Sequence, residues 1–190
     1  MQFSLFGAAA AEPSLGDLEG VLLAGGHWVR SADGARLSVI VADRWRADAL
    51  AEAFVTLRVD GQDVVVRAEG GFAVRTAFHP DLIDLAARWT RGAVEVPPPD
   101  FVLSPGGLRL WASAAGARDE VGYLFATVAA DDALHLAGGA QLSRMGLAAV
   151  SVGLRGGPGW RVTSAKRIRR LSELLGEPPP GGESAWPTVR

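Results

Sequence analysis

Leu18-Glu19-Gly20-Val21-Leu22-Leu23-Ala24-Gly25-Gly26 has an echo past the middle of the chain, Leu108-Arg109-Leu110-Trp111-Ala112-Ser113-Ala114-Ala115-Gly116. In the first stretch Leu18, Val21, Leu22 and Gly25 recur at helical spacing, and in the second Leu108, Trp111, Ala112 and Ala115 do the same. Each therefore reads as a short amphipathic helix ending in glycine, the residue a helix C-terminus prefers. The small residues at the ends, Ala24 to Gly26 and Ala114 to Gly116, predict that the two helices meet there backbone to backbone. The expected architecture is two repeats joined along this helix pair.

The rest of the chain supports the repeat. After Pro13, Asp17 opens the first helix, and residues 27–31 and 36–42 alternate as a strand pair around Ala32-Asp33-Gly34. Asp43 stands at the start of a second helix whose apolar face is Trp45, Ala49, Leu50 and Phe54. Residues 62–69 and 72–78 form a second hairpin about Gly70-Gly71, and Pro80 begins a third helix striped by Leu82, Leu85, Ala86 and Trp89. Residues 92–104, with Pro97-Pro98-Pro99 inside, read as a linker, after which the order begins again. The second copy shows one strand fewer, so either that repeat is shortened or a strand hides in residues 117–120. The expected organisation is an arm at 1–12, repeats at 13–91 and 105–176 on either side of the linker, and a loose Pro- and Gly-rich tail at 177–190.

Composition narrows the function classes. The chain has 190 residues with 48% apolar content, enough to bury a core shared by two small repeats. No apolar run is long enough to cross a bilayer, and Met1 to Ala11 lacks the basic start of a signal peptide, so no membrane partner is expected and a cytoplasmic location, with nucleoid association open, follows as the default. With no cysteine, neither a disulfide nor a thiolate metal site can form, and His27, His79 and His135 are scattered without zinc-ligand spacing. No cofactor is expected. A net charge of −2 excludes a protein that grips nucleic acid over its whole surface, and Lys166 is its one lysine among many arginines.

The αββαββα order, repeated with its opening helices facing one another, resembles the LAGLIDADG homing-endonuclease fold, the letters being carried by Leu22-Leu23-Ala24-Gly25-Gly26. The fold this implies is α+β, two αββαββα-type repeats forming a LAGLIDADG-like pseudo-dimer. In that family each motif helix ends in an acid that binds the catalytic metal, and the sheets lie in a DNA groove. Here Gly25 and Gly26 stand at the first such place and Ala115 and Gly116 at the second. Divalent cations need carboxylate oxygens, so the resemblance implies a fold that has kept binding and lost cleavage, as in degenerate members similar to the sporulation regulator WhiA. DNA is then a candidate partner, through the sheet arginines Arg30, Arg36, Arg67 and Arg75 and through Arg155, Arg161, Lys166, Arg167, Arg169 and Arg170 in and before the last helix. Two other classes stay open: a metal-dependent nuclease using Asp119, Glu120 and Asp33, and a WhiA-like transcription regulator.

A second resemblance is local. Gln2-Phe3-Ser4-Leu5-Phe6 is similar to the pentapeptide by which bacterial proteins bind the DNA polymerase III sliding clamp. Gln2 would hydrogen-bond in a polar subsite while Leu5 and Phe6 fill an apolar pocket, and a short tether reaches such a preformed groove at little entropic cost. The implied partner is the clamp, and the implied role a non-catalytic one in replication or repair. Serine hydrolysis has no support, because Ser113 and Ser143 lack a neighbouring His-Asp pairing. His27, His79 and His135 read as structural.

Overall fold

A computed structural model describes residues 11–128, 132–153 and 157–188. In the first half, a 3-10 turn at Leu15–Leu18 runs into α1 (Glu19–Leu23), followed by the hairpin β1 (His27–Ser31) and β2 (Gly34–Val41), then α2 (Arg44–Thr56). The hairpin β3 (Val65–Ala68) and β4 (Gly71–Arg75) comes next, and a turn at Pro80–Leu82 leads into α3 (Ile83–Trp89). After a two-residue pairing of β5 (Thr90–Arg91) with β6 (Val94–Glu95), the second half repeats the path: α4 (Pro105–Ala115), β7 (Gly116–Arg118), β8 (Tyr123–Ala126), α5 (Asp132–Arg144), β9 (Val150–Val152), β10 (Gly159–Val162) and α6 (Ala165–Leu175). The two four-stranded antiparallel sheets have the same order, β1-β2-β4-β3 and β7-β8-β10-β9. The strand the second repeat seemed to lack is β7, three residues long and begun directly at the helix end.

One apolar cluster runs through both halves, from Leu18 to Trp186. Its centre is the contact of α1 with α4. Every residue of α1 is buried, including Glu19, so this helix is enclosed on all sides rather than amphipathic. The crossing depends on glycine: a Cβ on Gly20 would fall 1.8 Å from the Gly107 carbonyl oxygen. A Cβ on Gly106 would likewise fall 2.4 Å from a carboxylate oxygen of Asp17. That carboxylate accepts the Ser104 hydroxyl (2.5 Å) and the Ser14 N–H (3.1 Å), and Ser104 Oγ in turn accepts the Gly107 N–H at the start of α4. The close approach thus lies at Gly20 and Gly106-Gly107, and the expectation that Ala24–Gly26 and Ala114–Gly116 form it is corrected. Gly25 instead adopts φ +94° to turn the chain into β1, and Gly116 makes room for the Tyr123 hydroxyl.

The carbonyl end of α4 is closed by an arginine of the first half. Arg46 on α2 is buried, pairs with Asp43 at 3.0 Å, and donates to the carbonyls of Ser113 (3.0 Å) and Gly116 (2.8 Å). A cation at a helix C-terminus is favoured by the macrodipole as well as by these bonds. Glu19 plays the matching part at the other side of the seam, accepting the Trp89 indole N–H at 2.8 Å.

Two expected irregular segments are structured. In the linker, Glu95 accepts the Trp28 N–H (2.6 Å), and Phe101 and Leu103 are buried. The tail is not loose: Trp186 is 2% exposed, its indole N–H donates to the Gly176 carbonyl (2.8 Å), and the Arg109 guanidinium lies over its ring. Pro and Gly there shape a wrap, with Gly181 and Gly182 lying close against Trp45.

Two outcomes test this seam. Gly20→Ala should destabilise the protein by at least about 2 kcal/mol in urea unfolding, because main-chain overlap outweighs the ~1 kcal/mol helix preference of alanine over glycine. Burial pushes Glu19 above the usual carboxyl range, against the pull of the Trp89 N–H and Arg88. A raised native pKa means stability present at low pH and lost as pH climbs through that pKa. Glu19→Gln keeps an acceptor for Trp89 and should flatten this decline in a series of denaturation midpoints against pH.

Candidate nucleic-acid interface

Strand alternation divides each sheet into a helix-facing side and an open side. In the first sheet Trp28, Ala35, Leu37, Val39, Val41 and Val74 are buried under the helices. The residues between them take the other face, and the register sets His27, Ser38 and Arg75 in one row across β1, β2 and β4, with Arg36 opposite Val29 beside it. No acid interrupts these rows. Arg36 lies over the Phe78 ring (4.6 Å), and among the described residues neither Arg36 nor Arg75 has an ion-pair partner. Burial lowers the pKa of His27, and the two guanidiniums lower it further, so the cluster resists a third positive charge.

The other two sheet arginines do not join them. Arg30 is two residues from the core Trp28 and so shares its side; it donates to the Ala86 carbonyl (3.0 Å) and to the Thr90 hydroxyl at the end of α3. Arg67 pairs in register with Phe72 and lies over its ring (5.1 Å) on the helix-facing side. Of the four sheet arginines, the register thus sets Arg36 and Arg75 on one open face and Arg30 and Arg67 on the other side.

The second sheet differs. Tyr123, Phe125 and Val162 are buried beneath it, and its open face carries Ala117, Leu124, Ala126, Val150, Val152 and Arg161. Arg161 there is neutralised by Asp119 at 2.8 Å. Asp119 also accepts the N–H groups of Val121 (2.9 Å) and Gly122 (2.7 Å). Burial pushes its carboxyl up, but these bonds and Arg161 outweigh that and hold it below the usual range. The carboxylate is thus committed to its own turn. Asp33 lies in the β1–β2 turn, where its N–H donates to Ser31 Oγ (3.2 Å). Among the described residues no three His, Asp or Glu side chains gather as metal ligands.

At the helix ends where the resembled family carries acids, other groups fill the space. A Cβ on Gly25 would fall 2.7 Å from a Val128 methyl, and one on Gly116 would fall 2.2 Å from the Tyr123 hydroxyl. Lys166, Arg167, Arg169 and Arg170 are exposed on α6, which packs on α4 in the helical layer and so does not share the sheet face of Arg36 and Arg75. Arg155 and the pentapeptide Gln2 to Phe6 lie outside the described residues. His135 bridges Thr127 (3.0 Å) and Ser151 (2.9 Å) and stacks on Trp160, tying α5 to the sheet, while His79 accepts the Asp81 N–H at a helix start. Arg46, the most highly bonded arginine of the seam, was not singled out by the sequence; its i,i+3 spacing from Asp43 was the available signal.

Replacing Arg36 and Arg75 together with Met should raise the His27 pKa without restoring it fully to 6.5, since burial persists; a histidine NMR titration reads this out.

No protein-family model matches the chain, and no curated protein does. Solved structures do. The homing endonuclease I-WcaI bound to its DNA recognition sequence aligns over 92% of this chain and 84% of that one, with 11% identity and a TM-score of 0.58. The N-terminal LAGLIDADG domain of DUF199/WhiA aligns over 85% and 80%, again with 11% identity and a TM-score of 0.58. The chain therefore has the LAGLIDADG-like fold.

Proposed function

We propose that this chain is a non-catalytic, DNA-associated protein of replication or repair, whose body contacts duplex DNA with the open face of its first sheet and whose Gln2-Phe3-Ser4-Leu5-Phe6 arm docks on the DNA polymerase III sliding clamp. The observation that carries the DNA contact is that Arg36 and Arg75 share one open face whose strand rows hold no acid and, among the described residues, have no ion-pair partners. The fold adds support, since one structure sharing it is an endonuclease held on its recognition sequence. The non-catalytic reading rests on Gly25 and Ala115, which cannot ligate a metal where acids would be needed. The clamp contact rests on the letters of the arm, with Leu5 and Phe6 as its apolar anchors.

Two arginines on phosphates give weak, salt-sensitive binding. Anisotropy of a labelled duplex between 50 and 200 mM salt, with Lys166, Arg167 and Arg169 changed to Gln so that the sheet is the remaining contact, should show a log–log slope that falls in magnitude by about 1.8 on adding Arg36→Met/Arg75→Met, at ~0.9 per phosphate contact. An unchanged slope would remove the sheet from the interface. In a pull-down, Leu5→Ala/Phe6→Ala should lose the clamp while its melting temperature stays that of the parent protein. Retention of the clamp by that variant would refute the arm's role, and Mg²⁺-dependent cleavage of plasmid DNA that Asp119→Asn abolishes would refute the non-catalytic reading.

A further inference from the structure

Four cations crowd into the first six residues of α6: Lys166, Arg167, Arg169 and Arg170. All four are exposed. Arg170 spends its Nε on the Met145 carbonyl (2.6 Å), whereas Lys166, Arg167 and Arg169 have neither a hydrogen bond nor an ion pair among the described residues. The arrangement opposes elementary helix electrostatics twice. Positive charge sits at the positive end of the macrodipole, with no acid in the first turn to offset it. Lys166 also faces Arg169 and Arg170, and Arg167 faces Arg170, at the i,i+3 and i,i+4 spacings where like charges repel. A helix face that only met water would gain by exchanging Lys166 or Arg167, in the first turn, for glutamate.

A local rule broken with only partial compensation inside the fold, the Met145 carbonyl on Arg170 and Glu173 one turn beyond Arg169, points to compensation from outside. The groove these side chains flank, about 510 Å³ and bordered by Gly146, Ser164 and Glu173, is open to solvent. The apolar side of α6, Leu171, Leu174 and Leu175, is buried in the shared core, so the helix has no greasy face left to lay into a bilayer. A succession of unpaired cations with no apolar partner surface matches a chain of phosphates.

We propose that the basic face of α6 is a second nucleic-acid backbone site, independent of the first sheet, so that one molecule holds two nucleic-acid segments at once. The α6 site stands by itself; the claim of two segments also rests on the proposed contact at Arg36 and Arg75, from which α6 is separated because it lies with α4 in the helical layer.

The test uses the full chain and a Lys166→Gln/Arg167→Gln/Arg169→Gln variant. Removing repulsion should leave its melting temperature unchanged or raised, so lost binding cannot be blamed on unfolding. In an Arg36→Met/Arg75→Met background, where α6 is the remaining contact, these substitutions should lower the magnitude of the salt slope for duplex binding by about 2.7. On beads carrying one duplex, the parent protein should retain a second, fluorescent duplex. The α6 variant and Arg36→Met/Arg75→Met should each bind one duplex and retain no second. An α6 variant with the parent slope would overturn the site. A reduced slope without capture of a second duplex by the parent would overturn the two-segment claim, merging both patches into one surface. If only the sheet variant behaves like the parent, the α6 site is supported and the sheet reading fails. Displacement of duplex by polyglutamate at equal charge concentration would show a general acidic-peptide site and overturn the phosphate assignment.

Discussion

Everything in this molecule hangs on two main chains touching at Gly20 and Gly107. Helices carrying ordinary side chains cross at 8–10 Å, whereas a crossing that leaves no room for a Cβ draws the axes closer. The consequence is that α1 has no outside. Leu18, Val21, Leu22 and Leu23 are all fully buried and bridge the two halves into one apolar cluster. A carboxylate can survive so near the seam only because Gly106 yields space for it and Ser14 and Ser104 bond it.

The same close approach fixes what the helix ends can do. With α4 pinned by Gly107 and Ser104 at its start, its carbonyl end falls within reach of Arg46, which bonds the carbonyls of Ala112, Ser113 and Gly116 there and retains Asp43 as its counter-charge. Gly25 closes α1 against Val128. Both ends thus serve the packing of the pseudo-dimer. A metal centre at either end would have to displace the Val128 methyl or the buried Arg46 guanidinium, not simply gain an acid.

Much of this was legible in the sequence because it depends on local pattern. Helix stripes such as Leu82, Leu85, Ala86 and Trp89, and the Gly70-Gly71 turn, declare their elements without tertiary help, and the repeat of element order declares the fold. What was hidden depends on partners far away. Strand β7 has three residues and no room to show alternation. Trp186 sits in a Pro- and Gly-rich tail whose composition suggests looseness, yet one indole filling a site beside Arg109 and Gly176 holds it down. The sheet arginines were a middle case: Arg30 stands two residues after Trp28, and Arg36 falls between Ala35 and Leu37, so alternation alone separates them once Trp28 and Leu37 are taken as core. The glycine crossing was visible as small residues, but the helix ends drew the eye where the helix starts held the contact.

The two halves share a backbone plan and not an electrostatic one. Among the described residues, the first sheet leaves Arg36 and Arg75 without ion-pair partners on its open face, while the second pairs its open-face Arg161 with Asp119 and surrounds it with Leu124, Val150 and Val152. The second half carries its free cations on α6 instead. A symmetric DNA saddle would require matching charge on both sheets, since phosphates flank a duplex groove on either side at similar density. Here, among the described residues, the unpaired cations lie over one sheet and again on a helix in the other layer. The two-fold of the backbone is therefore not matched by a two-fold of charge.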